Sequence, residues 1–276
     1  MKKKLITVVC LFFVVSALWS QTDRYKVYAL KFKHIGRASA VGSVNGATSN
    51  DSIDVCYMIW FLKGNNGHNI LIDTGDLDSL EQGKKEYIRP DKLLKDIDIN
   101  VSDITDIIIT HPHFDHINGL PLFNHGTVWM QRKDFDDFVV DAWRRNKPAG
   151  FRKDDVRNLI NVSLEGRLKL VEGDDVEIIP GVKVFTGSTH TKENQYVLVT
   201  SEENNKIILA SDAIWFYLNF WRMAPIEEYV ENPHSYVDAM KRMKTMVNND
   251  KFIIPGHDNL VFSQFEHLTS RVAVIK

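Results

Sequence analysis

Cysteine is nearly absent from this chain of 276 residues: there are two, Cys10 and Cys56. Neither charge sign is in excess either, with 34 basic against 36 acidic side chains. The longest apolar run, Leu5 to Val15, is about 11 residues, short of the roughly 20 that cross a bilayer as a helix. No internal repeat, low-complexity tract or Pro/Gly/Ser-rich linker interrupts the chain. These absences exclude a disulfide-stapled scaffold, a nucleic-acid-binding surface built on basic excess, and a disordered or collagen-like chain. What the apolar run does fit is an export signal. Lys2, Lys3 and Lys4 precede it, and Ser16, Ala17, Leu18, Trp19 and Ser20 follow. A basic head, a short apolar stretch and a small-residue exit make residues 1–20 a secretory signal peptide. The expected mature chain is therefore periplasmic or secreted, with no stable membrane anchor. Cys10 sits inside the run rather than after it, which argues against a lipid anchor. Without the leader, 31 basic side chains face 36 acidic ones, a net charge of −5, and Cys56 remains alone. Such a domain depends on its core or on a metal for stability.

Residues 21–276 read as one domain. Short β-rich runs alternate with longer helical patterns, which favours a layered α/β (α+β) architecture. Strands are expected at Tyr25–Lys33, Val55–Leu62, Asn69–Asp73, Asp106–Thr110, Thr127–Met130, Leu168–Val171, Val182–Thr186, Tyr196–Thr200, Lys206–Ala210 and Phe252–Ile254. Gly64-Asn65-Asn66-Gly67 is a hairpin loop between the second and third. Helices are expected at 91–96, 132–145, 235–248 and 263–272. In the third of these, Val237, Met240, Met243 and Val247 recur at three- and four-residue steps, the pattern of a core-packing face.

Chemistry gathers at the strand ends. Ile107-Ile108-Ile109-Thr110 runs into His111-Pro112-His113-Phe114-Asp115-His116. Three further apolar strands run into His190, Asp212 and His257. In an extended segment, residues two apart point the same way, so His111 and His113 can grip one ion. Asp115 and His116, further along a turning loop, can aim at a neighbouring position. Three imidazoles and a carboxylate in six residues exceed what a packed loop needs, because buried unpaired polar groups are costly. His34, His68, His125, His234 and His267 lack partners at ligand spacing and are expected at surfaces or turns.

The cluster, with His190, Asp212, His257 and the upstream Leu71-Ile72-Asp73-Thr74-Gly75, resembles the metallo-β-lactamase superfamily over Asp73 to Asp258. The resemblance implies a four-layer αβ/βα sandwich with two zinc ions at one edge, iron, manganese and cobalt being alternative metals. By that pattern His111, His113 and His190 hold the first ion, Asp115, His116 and His257 hold the second, and Asp212 bridges them. Two such ions can share a hydroxide at neutral pH. Asp115 is placed to move a proton near the leaving group, so Asp115 and Asp212 are the expected catalytic carboxylates. Asp73 is expected behind the ligands, accepting a hydrogen bond from a ligand imidazole.

The branch most resembled is that of the N-acyl-homoserine lactonases, on His190-Thr191-x-x-x-Gln195, Ser211-Asp212-Ala213 and Pro255-Gly256-His257-Asp258. That branch implies a small lactone or ester substrate opened by the bridging hydroxide, with quorum quenching as the role. A phosphodiesterase or phosphotriesterase of the same fold is the alternative, and a non-catalytic or redox metal-binding member is a third. The branch carries a tyrosine three residues after the bridging aspartate. Here Trp215 stands there, and the nearest tyrosine is Tyr217. The aromatic stretch from Trp215 to Trp221, notably Trp215, Tyr217, Phe220 and Trp221, is read as a wall for an acyl chain, with core packing or a homodimer contact as the other use.

Overall fold

In the computed structural model, residues 23–77, 86–148, 150–226 and 232–276 are described. The leader expected at residues 1–20 lies outside them. Thirteen strands run in chain order: β1 (Tyr25–Ser39), β2 (Ser52–Gly64), β3 (Asn69–Ile72), β4 (Asp106–Ile108), β5 (Thr127–Gln131), β6 (Leu168–Val171), β7 (Val176–Ile179), β8 (Val182–Thr186), β9 (Gln195–Thr200), β10 (Lys206–Ser211), β11 (Ile253–Pro255), β12 (Glu266–Thr269) and β13 (Val272–Ile275). Eight of them form one sheet in the order β12-β13-β1-β2-β3-β4-β5-β6, and five form a second, β11-β10-β9-β8-β7. The hairpin β2–β3 closes over residues 64–67 in antiparallel register, Trp60 opposite Ile72. From β3 to β6 the pairing is parallel.

Period-two alternation assigns the layers. On β1, Val27 and Ala29 join the core cluster that also takes Val184 and Val197 from the second sheet, whereas Leu30 and Phe32 face a second cluster with Leu93, Leu94 and Leu159. Both faces of the large sheet are therefore buried, one by the partner sheet and one by helices. Those helices include α1 (Pro90–Leu93), α2 (Phe114–Ile117), α3 (Arg132–Asp136), α4 (Ala142–Arg144) and α5 (Lys153–Leu164). Of the remaining three, α6 (Tyr217–Arg222), α7 (Pro233–Met246) and α8 (Val261–Gln264), α7 buries Tyr236, Met240 and Met243 in the cluster shared with the second sheet. Each fully buried Leu, Ile, Val or Phe contributes roughly 1.5–3 kcal/mol. The result is the expected four-layer αβ/βα sandwich. No helix among the described residues is long and apolar enough to cross a membrane.

Two local expectations need correction. The helix read at 263–272 is instead a short α8 followed by the β12–β13 hairpin. Val272 and Val274 face one cluster and Ala273 and Ile275 the other, and β13 pairs with the edge of β1. Satisfying that open edge outweighs helix propensity. The helix read at 132–145 is α3 and α4 joined by a π-helical turn, Asp137–Asp141. Helix α5 and strand β7 were not legible as separate elements.

Candidate metal centre

Seven side chains meet at the rim where strands of both sheets end. His111 lies three residues past β4, His113 is the residue before α2, and Asp115 and His116 lie on α2. His190 comes from the loop between β8 and β9, Asp212 follows β10, and His257 follows β11. They fall into two groups, each with its donor atoms within 4.8 Å of one another: His111, His113, His190 and Asp212, and Asp115, His116 and His257. In the first group Nδ1 of His113 stands 3.1 Å from His111 Nε2 and 2.9 Å from His190 Nε2. Asp212 faces both groups. Its Oδ2 lies 3.1 Å from His190 Nε2, and its Oδ1 lies 3.0 Å from His257 Nε2 and 3.3 Å from His116 Nε2.

A web of hydrogen bonds holds these rings in place. Asp73, fully buried just past β3, accepts from the Thr110 backbone N–H and hydroxyl, both at 2.8 Å, and contacts His116 Nδ1 at 2.7 Å. Its φ of +61° lies in the left-handed region, which Asp tolerates better than most residues. His257 Nδ1 reaches the Cys56 carbonyl at 3.2 Å, which leaves Nε2 for the cluster. The backbone closes the same corner, with Cys56 N–H donating to the His257 carbonyl and His257 N–H to that of Trp215. Gly256 is required there, because a Cβ on it would come within 2.8 Å of the Ser211 carbonyl oxygen and 3.0 Å of Asp212 Oδ1. The loop carrying His190 is tied down from α3. The buried Asp134 carboxylate accepts from Thr191 Oγ1 (2.7 Å) and the Glu193 N–H (2.8 Å).

Burial dominates the electrostatics of the first group. It holds His111 well below the usual imidazole range, and it lowers His113 to about 3, with the neighbouring His190 adding to the shift. These rings are neutral at pH 7 and present lone pairs. In the second group burial acts the same way on His116 but is outweighed by Asp115, Asp212 and Asp73, which hold it well above its ordinary value. Burial would raise Asp115, yet His116 and His257 bring it down to about 2. His116 Nε2 is buried with no hydrogen-bond partner among the described residues, and it faces the Asp115 and Asp212 oxygens at 3.3 Å. An orphaned imidazole nitrogen between two carboxylates, beside three converging imidazoles, is a donor set suited to divalent transition metals. The residues fit a pair of metal ions.

A cavity of about 610 Å³ opens onto this cluster. Ile53, Val55, Phe114, Phe151 and Phe216 supply apolar wall, Tyr57 and Trp215 flank the histidines, and Arg145, Lys147 and Lys192 bring positive charge. The aromatic stretch therefore divides. Trp215 lines the cavity and donates its indole N–H to Asp212 Oδ2 at 2.6 Å. Tyr217 and Phe220 are buried in the core, and Trp221, 61% exposed, stacks on Tyr217 beside a separate depression. None of those three is among the residues lining the cavity at the cluster, because α6 starts after Phe216 and turns them away from it. The Tyr217 hydroxyl is buried with no hydrogen-bond partner among the described residues. Phe216, within the aromatic stretch, lines the cavity, whereas Tyr57 and Phe151 went unnoticed in the sequence, for only sheet pairing and loop packing bring them there. Of the other histidines, His34 meets Asp54 at 2.8 Å and His68 meets Asp106 at 3.0 Å, both apart from the site.

Residues 53–257 match the model of the metallo-beta-lactamase superfamily. An N-acyl homoserine lactonase of Bacillus thuringiensis is 28% identical over 167 residues, which cover 60% of this chain and 60% of that relative's length. Among solved structures, a quorum-quenching N-acyl homoserine lactone lactonase superposes with a TM-score of 0.67 at 23% identity, over 86% of this chain and 93% of its own. AidC, described as a dizinc quorum-quenching lactonase in complex with its product, superposes at 0.63 with 16% identity, over 86% and 91%. At these identities the structures bear on the fold.

Proposed function

The chain belongs to the metallo-β-lactamase superfamily, and from that premise we propose that it is a dinuclear metal-dependent hydrolase that opens lactones or simple esters, N-acyl-homoserine lactones first among them. The observation that carries this reading is the Asp212 carboxylate, with one oxygen toward each group of histidines. His111, His113 and His190 would hold one ion, Asp115, His116 and His257 the other, and Asp212 both. Zinc is the metal proposed, in keeping with the imidazole-rich donor set and with the dizinc neighbour AidC. Bound there, the pair would supply a water acidified to a nucleophile at neutral pH and a Lewis acid for the carbonyl oxygen.

The protein's own groups do the rest. The apolar wall of Ile53, Val55 and Phe216 takes the acyl chain and excludes water from the carbonyl. Asp115, ionised and lining the cavity, accepts the proton released by the attacking water and returns it to the departing alkoxide oxygen. Asp73 fixes His116 through Nδ1 so that Nε2 points at the metal position. Export of the domain by residues 1–20 belongs to the same proposal, resting on the basic head and short apolar run of that segment.

One observation favours a second reading. Arg145, Lys147 and Lys192 line the same cavity, with Arg145 beside Asp137, and cationic walls suit a phosphodiester better than a neutral lactone. A single panel decides. Chelator-stripped protein, reconstituted with zinc to two ions per chain, is assayed on acyl-homoserine lactones, aryl esters, phosphodiesters and a β-lactam. Preference for the lactones, lost on stripping, is expected. Preference for phosphodiesters would replace the first reading with the second.

A further inference from the structure

One wall of the cavity faces the metal groups with a phenol that the reaction as described does not use. Tyr57, on β2, is the one tyrosine among the described lining residues. Its ring stands edge-on to His257, with centroids 5.2 Å apart and planes at 82°, and it packs on Phe32 at 6.0 Å. The strand opposite is irregular at this point. The β1–β2 register shifts between Lys31 and Lys33 and again between His34 and Gly36, which brackets the pairs Lys33–Tyr57 and His34–Cys56. Bulges recur beside active sites because they re-aim a side chain without ending the sheet. The neighbouring indole N–H of Trp215 already donates to Asp212 Oδ2.

We propose that the Tyr57 hydroxyl donates a hydrogen bond to the substrate oxygen that gains charge when the carbonyl is attacked. The assignment rests on the hydrolase reading given above. Tyr57 keeps its proton throughout, so no bond to it forms or breaks. The ring contact with His257 and the shared cavity lining with Asp115 and Asp212 put the phenol next to both groups of the site. A donor aimed where charge develops acts on the transition state more than on the bound substrate.

The test is Tyr57→Phe in the zinc-loaded full chain, on the substrate that the wild type turns over best. Expected are a fall in kcat of roughly 10²-fold, a KM within about threefold, and an unchanged two metal ions per chain by elemental analysis. A phosphonate mimic of the tetrahedral intermediate should lose affinity by the same factor as kcat/KM, while the ring-opened hydroxy acid binds as before, both read by calorimetry. An unchanged kcat in Tyr57→Phe overturns the proposal, as does a loss of kcat in Trp215→Phe that matches or exceeds it. A fall in metal content in Tyr57→Phe also overturns it, by showing a structural role. Should the wild type prefer phosphodiesters, the lactone reading fails by itself, and the same comparisons decide Tyr57 on the phosphoryl oxygen.

Discussion

Replacing Asp73 with asparagine should weaken one metal position and spare the other. The carboxylate is fully buried and makes three contacts, two with Thr110 and one with His116 Nδ1. The contact with His116 makes Nδ1 the protonated nitrogen and leaves Nε2 with the lone pair a metal needs. An amide can turn its oxygen to the Thr110 N–H, or to His116 and the Thr110 hydroxyl, but cannot serve both sides as the carboxylate does. If its NH₂ faces His116, the proton moves to Nε2 and the ring can no longer ligate. Outer partners of this kind are worth about 10–100-fold in metal affinity, or roughly 1.4–2.7 kcal/mol. Loss of a charge-assisted hydrogen bond adds a stability cost of about 1.5–3 kcal/mol. The assay is zinc competition against a graded chelator, followed by elemental analysis. The variant should hold one ion as tightly as the wild type and release the second at 10–100-fold lower chelator strength. Equal affinity for both ions in the two proteins would refute the argument, and equal loss at both would place Asp73 behind the whole rim rather than behind His116.

Two other outcomes are expected. Asp134 is raised to about 7, chiefly by burial, so the fold favours its neutral form. The stability it contributes is present in full below the unfolded carboxyl value near 3.9 and is lost as pH rises to about 7. Asp134→Asn removes that titration. The unfolding free energy of the wild type relative to the variant, from scanning calorimetry, should therefore fall from pH 4 to pH 7 and level off above, by at most about 4 kcal/mol; a flat difference would contradict the assignment. Phe216 lines the cavity whereas Trp221 lies outside it. Phe216→Ala should raise KM for long-chain lactones several-fold more than for short ones, and Trp221→Ala should leave that ratio unchanged; the reverse pattern would return the acyl wall to α6.

The sequence determined the layers and the metal-competent set on its own, for physical reasons that are local. Unbroken apolar runs, such as Ile107-Ile108-Ile109, mark strands buried on both faces. A strand that ends in His111-x-His113-x-Asp115-His116 concentrates donors that a loop cannot bury unpaired. Local reasoning failed where a distant partner set the outcome. Residues 263–272 carry a helical pattern, yet the open edge of β1 recruits Val272–Ile275 as a strand. The stretch from Trp215 to Trp221 is uniformly aromatic in sequence. Only the start of α6 after Phe216 separates the cavity residues Trp215 and Phe216 from the core residues Tyr217 and Phe220. Tyr57 carries no mark in the sequence at all, because what brings it beside His257 is the pairing of β2 with β1 and with the segment after β11. Near-absence of cysteine leaves this domain without disulfides; in the tertiary structure a buried polar web holds the rim, with Asp73 on His116, Thr110 beside His111 and the Cys56 carbonyl on His257. Which donors exist was written along the chain, but which nitrogen of each ring faces the metal position was decided by hydrogen bonds across some 40 to 200 residues of sequence.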